Sequence, residues 1–135
     1  MSWNEILSIG MVGSGLIKTG AVMRNNGERV VGTTGFGLLG NEFESIMHSF
    51  INQTEAFKNG LYCNGVKYIV ISANPRLIHA RIGSVGVVLV RAKNCLLIAQ
   101  YQPPISAAQA VLCMENLADS INSGVYNTDI KGDQV

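Results

Sequence analysis

A chain of 135 residues, of which 47% are hydrophobic and 14% charged, is long and apolar enough to fold as one domain around its own core. This composition excludes intrinsic disorder, and a net charge of +1 excludes a broad basic surface for nucleic acid. The sequence has no apolar run of about 18 residues, the length that a membrane span needs. The first five residues include an acid and no basic residue, so we expect no signal peptide.

The chain begins with a predicted helix, because Ser2 and Glu5 have the spacing of a capping box. The residues that follow at helical spacing are Trp3, Ile6, Leu7 and Gly10. Gly15 is expected to end this helix. Residues 17–23 and 29–33 then have the apolar composition of strands, and the Asn-Asn-Gly between them predicts a hairpin.

Residues 35–40 read Gly-Phe-Gly-Leu-Leu-Gly and fit the dinucleotide-binding pattern G-x-G-x-x-G. That site needs a parallel strand–helix–strand unit with an acid about 20 residues further on. Glu55 lies at this distance, but within the polar segment 52–60 and before a hairpin. We therefore interpret the glycines as a turn into a second helix capped by Asn41, with one short helical turn expected in 52–60. The apolar residues of the second helix are Phe43, Ile46, Met47, Phe50 and Ile51.

The second half of the chain alternates with a period of two, which is typical of strands. The expected strands are residues 61–63, 66–72, 77–81, 87–91 and 95–101. Asn64-Gly65 is the strongest of the turn signals between them, and short turns require antiparallel pairing. A closing helix starts at Ser106, capped together with Gln109, and ends at Gly124. The order of elements predicts an α+β domain with a mostly antiparallel sheet of about six or seven strands.

The sequence contains weak signals for catalysis or for metal binding. His48 is expected to be a partly exposed helix residue, His79 lies in a strand with no acid placed to orient it, and Ser84 lacks a partner base. The cysteines, which are Cys63, Cys95 and Cys113, are too widely spaced for a zinc site and lie in apolar sequence. We therefore expect buried, reduced thiols, no cofactor or metal, a cytoplasmic location and a binding protein that is not an enzyme.

Several short strings of the sequence resemble segments of the profilin family, in the same order and spacing. They include Met1-Ser2-Trp3, Val12-Gly13-Ser14-Gly15, Thr34-Gly35-Phe36, Gly65-Val66-Lys67-Tyr68, residues 76–86 (RLIHARIGSVG) and Asn116-Leu117-Ala118-Asp119. The resemblance covers residues 1–126 and implies one profilin-like domain, followed by a polar tail, 127–135. It also implies a monomeric, cytoskeleton-associated protein whose two terminal helices pack together on one face of the sheet. The implied ligands are monomeric actin, proline-rich segments of other proteins and phosphoinositides.

The resemblance places actin binding on the later strands and on the start of the last helix. The matching residues are Lys67, Arg76, Arg81, Arg91 and Lys93 on the strands, with Ser106 and Glu115 on the helix. The first five are half of the ten Lys and Arg residues, and such a cluster steers an acidic partner. The alternative is an ordinary solvated sheet face. Ile82, Val111 and Leu112 replace polar or basic residues common in the family, so they are either apolar contacts with actin or a sign of low affinity.

The resemblance also implies an aromatic groove for proline-rich segments between the terminal helices. Its positions, which we call the proline groove, are Trp3, Ile6, Val30, Ser120 and Tyr126. A polyproline helix is already ordered, so it docks on exposed rings at little entropic cost. Three of the positions lack the family's aromatic residues, so weak proline binding is expected. The alternative role of Trp3 is to hold the two helices together, and the alternative function is a profilin-like adaptor that has lost actin binding.

Overall fold

The computed structural model of the chain describes residues 3–124. Ser2, Tyr126 and the predicted tail 127–135 lie outside the described residues, so the cap, the groove position and the tail stay predictions.

A seven-stranded antiparallel sheet forms the centre of the protein. Its strands in chain order are β1 Thr19–Arg24, β2 Arg29–Gly32, β3 Leu61–Cys63, β4 Val66–Ala73, β5 Leu77–Ile82, β6 Val85–Arg91 and β7 Cys95–Tyr101. Their order across the sheet is β2-β1-β7-β6-β5-β4-β3, and every pair in residues 3–124 is antiparallel. The β3–β4 turn has positive φ at Asn64 (53°) and Gly65 (83°), as a two-residue hairpin turn requires. The predicted fold class is confirmed.

The N-terminal helix, which we define as residues 3–14, is less regular than its sequence predicts. A single α-helical turn, α1 (Trp3–Glu5), continues as a π-helical segment, Ile6–Met11, and as a 3₁₀ turn, Val12–Ser14. Gly15 ends it with a φ of 79°, as predicted. The π-helical segment has no signal in the apolar spacing, because that spacing fits an α-helix equally well.

Three further helices complete the fold: α2 (Glu42–Ile51), α3 (Gln53–Asn59) and α4 (Ala107–Asn122). The predicted capping box of Ser106 and Gln109 is present at the start of α4. The prediction that Asn41 caps α2 is wrong, since its side chain makes no capping hydrogen bond. The segment 52–60, expected to hold one short turn, forms the seven-residue α3.

Hydrogen bonds to the buried side chain of Glu42 connect the start of α2 to the neighbouring loops. Its carboxylate accepts hydrogen bonds from the backbone N–H groups of Leu39, Asn64 and Gly65, each at 2.8 Å. The glycine-rich loop is thereby joined to the β3–β4 turn. Gly35 and Gly40 have positive φ, so the glycine cluster turns the chain, as predicted.

The helices cover the two faces of the sheet in two layers. The N-terminal helix and α4 pack on one face, around a core that includes Ile6, Val88, Leu97 and Met114. The other face is covered by α2 and α3, around Phe50, Ile78 and other buried residues. The terminal helices therefore share one face, as the resemblance implies.

Candidate functional site

Part of the face that carries α4 is not covered by any described helix. α4 packs over β6 and β7, and on the same side Leu77 and His79 of β5 are buried, which leaves β3, β4 and the Arg81 end of β5 open. Lys67 lies directly opposite Tyr62, and Ile69 directly opposite Arg81, so these four side chains share one face. We call these four residues together with Ile71 the open strand face.

The open strand face is apolar along β4 and basic at one end, where Lys67 and Arg81 lie. Ile69 is 60% exposed and Ile71 is 53% exposed, which is unusual for isoleucine on a sheet. Leu112 of α4 is also 59% exposed. Ala108, Leu112, Glu115 and Asp119 recur at helical spacing and form the flank of α4 nearest to β5, where Asp119 pairs with Arg76 at 2.7 Å. A partner on this face therefore meets apolar side chains, with the basic residues Lys67 and Arg81 at one end.

A buried tyrosine–histidine pair forms the border between the open strand face and the core under α4. Tyr101 at the end of β7 reaches across β6, and its hydroxyl lies 2.6 Å from Nε2 of His79 on β5. The Tyr101 ring crosses β6 directly over Gly86, where a Cβ atom would lie 2.3 Å from its Cζ. Gly86 is therefore required for the pair to form.

Burial perturbs the titration of both members of this pair. It lowers the pKa of His79, and the nearby positive charge of Arg81 lowers that pKa further. Burial raises the pKa of Tyr101, while Arg81 acts in the opposite direction. His79 is therefore neutral at neutral pH, and the hydrogen bond to Tyr101 replaces the acid that the sequence does not supply.

The seven residues matched to the actin surface do not form a single patch. Lys67 and Arg81 lie at the end of the sheet where β7 leads to α4, whose first turn begins at Ser106. Arg76 and Lys93 lie in turns at the opposite end, about 20 Å away for a strand of six or seven residues.

At that opposite end the basic residues are tied to α4. The Arg76 guanidinium donates to the Glu115 carbonyl oxygen at 3.3 Å and to the Asp119 carboxylate at 2.7 Å. The backbone N–H of Lys93 donates to Oδ1 of Asn122. Arg76 is thereby half-buried and engaged, whereas the Lys93 side chain is exposed.

Arg91 lies apart from the other six residues. Its guanidinium carbon lies 5.8 Å from the centre of the Phe50 ring, which belongs to α2 on the opposite face of the sheet. Arg91 therefore does not share a surface with Lys67 and Arg81, although their proximity in sequence predicts that it does.

Sequence reasoning missed the apolar members Tyr62, Ile69 and Ile71 of the open strand face. Alternation along β4 does mark Ile69 as being on the same side as Lys67, which is a usable signal. The signal is incomplete, because the sequence does not show which part of the sheet α4 leaves uncovered.

The proline groove differs most from expectation at Trp3. An exposed tryptophan is expected there, but Trp3 is 2% exposed and belongs to the core between the N-terminal helix and α4. Its Nε1–H has no hydrogen-bond partner among residues 3–124. Ile6 is fully buried, and Val30 and Ser120 are half-buried. The expectation of an exposed indole at Trp3 is therefore wrong. The packing of Trp3 agrees instead with its alternative role, which is to hold the two helices together.

Other reactive side chains are scattered. Cys63 and Cys95 are buried as expected, but Cys113 is only half-buried, between α4 and the N-terminal helix, where its Sγ lies 3.5 Å from the Gly10 carbonyl oxygen. Burial, with a smaller effect of Glu42, raises the pKa of Cys63 to about 12. Within residues 3–124, no three His, Cys, Asp or Glu side chains are grouped to hold a metal ion. None of the described helices has the length and apolar composition to cross a membrane.

A cavity of about 410 Å³ lies between α2, α3 and β3, remote from α4. It is bordered by Glu44, His48 and Glu55, and Nε2 of His48 lies 3.8 Å from Oε2 of Glu55. The His48 side chain is 60% exposed, as predicted for a solvated helix residue. Exposed contacts of this kind between a histidine and a carboxylate contribute little to stability.

Comparison with known proteins gives consistent matches. The family model described as Profilin matches residues 1–126. The profilin of Saccharomyces cerevisiae is 33% identical over 120 residues, which are 88% of this chain and 94% of the relative. The crystal structure of Acanthamoeba castellanii profilin II superposes with a TM-score of 0.86 at 26% identity, over 93% of this chain and all of that one. Mouse profilin IIa, in complex with a double repeat from the FH1 domain of mDia1, has the same fold, with a TM-score of 0.77 at 15% identity over 93% of this chain and all of that one.

Proposed function

Because this chain belongs to the profilin family, we propose that the open strand face and the adjoining flank of α4 form its actin-monomer site. Profilins are cytoplasmic, cytoskeleton-associated proteins without enzymatic activity, and this chain has their function, the binding of actin monomers and the regulation of actin polymerisation. An adaptor that has lost actin binding is not favoured, since the similarity extends over nearly the whole domain.

The carrying observation is an exposed apolar strand face that has two cations at one end, neither of them in an ion pair within residues 3–124. Interfaces derive most of their affinity from buried apolar and aromatic anchors, and charged residues at the rim set the rate and the orientation of binding. Ile69, Ile71 and Leu112 supply the anchors. Lys67 and Arg81 are exposed, with no ion pair to any residue in 3–124, so both are available to an acidic partner surface.

This assignment favours three of the seven matched residues and reduces the role of three others. Lys67, Arg81 and Ser106 lie at one end of the open strand face. Arg76 holds α4, and Glu115 contributes its backbone carbonyl to the same contact, so their role is to position the helix. Arg91 faces the opposite side. Lys93 is exposed and within reach of a large partner.

Binding changes actin only if it favours one actin conformation over another. We expect the bound monomer to be held in its more open conformation, which releases nucleotide faster and has one end blocked from filament growth. The chain then acts by binding alone, and this regulation requires no catalytic group.

The test is a titration of monomeric actin carrying a fluorescent nucleotide. The wild-type protein is expected to accelerate nucleotide release, and the double variant K67E/R81E is expected to need about tenfold more protein for the same effect. Lys58→Glu, a single charge reversal at an exposed residue of α3, is the control and is expected to behave as wild type. An unchanged titration for K67E/R81E would place the actin site elsewhere.

Proline-rich segments are a second proposed ligand, supported by the unpaired Nε1–H of Trp3 between the terminal helices. Such a donor suits a polyproline helix, whose backbone carbonyls have no internal partners. The FH1 complex of mouse profilin IIa is consistent with this proposal. A calorimetric titration with a proline-rich peptide tests it, and weak binding is expected because Ile6, Val30 and Ser120 offer no aromatic ring.

Phosphoinositides are a third proposed ligand, through Lys67 and Arg81. Two exposed cations contribute about 1 kcal/mol each at an anionic membrane surface, so the expected binding is weak and sensitive to salt. Sedimentation with phosphoinositide vesicles, in parallel with K67E/R81E, tests this proposal.

A further inference from the structure

The buried donor of Trp3 is an unusual feature of the core. Trp3 is the single tryptophan of the chain, and its side chain is 2% exposed among the residues that join the N-terminal helix to α4. Buried polar groups almost always have a partner, and one without a partner calls for a physical explanation. Residues 3–124 supply no acceptor for its Nε1–H. The buried Nε1–H of Trp3 is therefore an unsatisfied hydrogen-bond donor within residues 3–124.

The helix that carries Trp3 has a break directly after it. α1 is a single turn of three residues, and the π-helical segment Ile6–Met11 follows at once. Single π-helical turns interrupt the regular hydrogen-bond ladder and are frequent at functional sites. A single turn also has few hydrogen bonds of its own, so packing rather than helix formation holds it in place. Trp3 and Ile6 at the start of this region are both buried in the core.

The end of the π-helical segment is closely packed against both α4 and β1. Gly10 lies so close to α4 that a Cβ atom there would be 2.9 Å from Cδ1 of Leu117. Met11 is held against β1, where a Cβ atom on Gly20 would lie 2.6 Å from the Met11 Cε. The helix is therefore anchored at residues 10 and 11, and the π-helical segment separates this anchor from the first turn.

We propose that Trp3 and Ile6 close the part of the proline groove that lies within residues 3–124 in the free protein, and that this part opens when the first turn swings out on the π-helical segment. In the open form the Trp3 ring and its N–H become available, and a carbonyl oxygen of a polyproline ligand supplies the missing acceptor. This inference rests on the proposed proline binding and concerns its regulation. The apparent affinity is then the affinity of the open form multiplied by the fraction of molecules that are open.

The single tryptophan makes the closed state directly measurable. In the free protein, acrylamide is expected to quench Trp3 fluorescence far less than that of free tryptophan. In stopped-flow mixing with a proline-rich peptide, the observed rate is expected to level off at high peptide concentration, because opening becomes limiting. A groove that is already open gives a rate that rises linearly with peptide concentration.

Two matched variants separate the gate from general stability. Ile6 and Ile98 are both fully buried, the first beside Trp3 and the second in the core on the opposite face. Ile6→Val is expected to raise both the limiting rate and the apparent affinity for the peptide about three- to tenfold, by weakening the closed state. Ile98→Val lowers the stability of the whole fold similarly and is expected to change neither.

The possible outcomes separate the gate from proline binding itself. Ready quenching of Trp3 in the free protein overturns the closed groove, whatever the peptide does. Calorimetric binding with a linear rate dependence, or equal effects of the two valine variants, overturns the gate and leaves proline binding in place. An absence of both heat and fluorescence change refutes the proposed proline binding and, with it, the gate.

Discussion

Replacing Gly86 by alanine tests the border between the core and the open strand face. The new Cβ atom would lie 2.3 to 2.4 Å from Cζ, Cε2 and the hydroxyl oxygen of Tyr101, so the ring must move. Forcing an extra carbon into a packed site costs about 1–3 kcal/mol. Separating the Tyr101 hydroxyl from His79 leaves two buried polar groups unpaired and costs about 1–3 kcal/mol more. We expect Gly86→Ala to lower the free energy of unfolding by about 2–6 kcal/mol.

The assay is urea denaturation of four proteins: wild type, Gly86→Ala, Tyr101→Ala and the double variant. Tyr101→Ala removes the ring and costs about 3–5 kcal/mol by itself. With the ring gone, alanine at position 86 has room, and in a strand it is about 0.5–1 kcal/mol better than glycine. The two changes should therefore be coupled by at least about 2 kcal/mol. Equal costs of Gly86→Ala with and without the Tyr101 ring would refute the steric reasoning.

Three further predictions follow from buried polar groups. Because the native pKa of His79 lies below its usual 6.5, the unfolded chain binds the proton first, and the free energy of unfolding should fall as pH drops from 6.5 towards that lower value; urea denaturation should show this fall in the wild type and a smaller one in His79→Asn. Glu42→Gln should lower the free energy of unfolding by about 2–3 kcal/mol, because a neutral amide replaces the acceptor of three backbone N–H groups; the control Glu44→Gln, exposed in the same turn of α2, should change it by less than about 0.5 kcal/mol. A thiol reagent followed by peptide mapping should modify Cys113 first and leave Cys63 intact until unfolding, because a pKa of about 12 against an ordinary 9.0 leaves about a thousandfold less thiolate; early modification of Cys63 contradicts its burial.

The strands were predictable from sequence because their signals are local. Alternation over a few residues and the Asn64-Gly65 turn define β3 and β4 without any information about the rest of the chain. The same holds for the start of α4, where Ser106 and Gln109 satisfy each other within four residues. Antiparallel pairing of successive strands followed from the short connections, whereas the pairing of β1 with β7 had no such signal.

The features that shape the candidate site depend on residues distant in sequence. Tyr101 and His79 are 22 residues apart and meet only because Gly86, on the strand between them, lacks a side chain. Arg91 ends the buried strand β6, whose apolar residues do not indicate which face of the sheet α2 covers. The separation of Arg91 from Arg81 is therefore visible only once the register of β5 and β6 is known. The burial of Trp3 likewise depends on a core that it shares with residues of α4, more than 100 positions further along the chain. Local patterns contain none of this information.

The two proposed binding surfaces use different flanks of one helix. The flank of α4 with Leu112, Glu115 and Asp119 borders the open strand face, whereas Cys113 and Leu117 contact the N-terminal helix at Gly10. Since α4 is anchored on β6 and β7 between these flanks, a partner on one side need not displace a partner on the other. Actin and a proline-rich segment should therefore bind together. Calorimetric titration of the peptide into the preformed actin complex should give the same affinity as titration into the free protein, and loss of peptide binding in the complex would show that the two surfaces overlap.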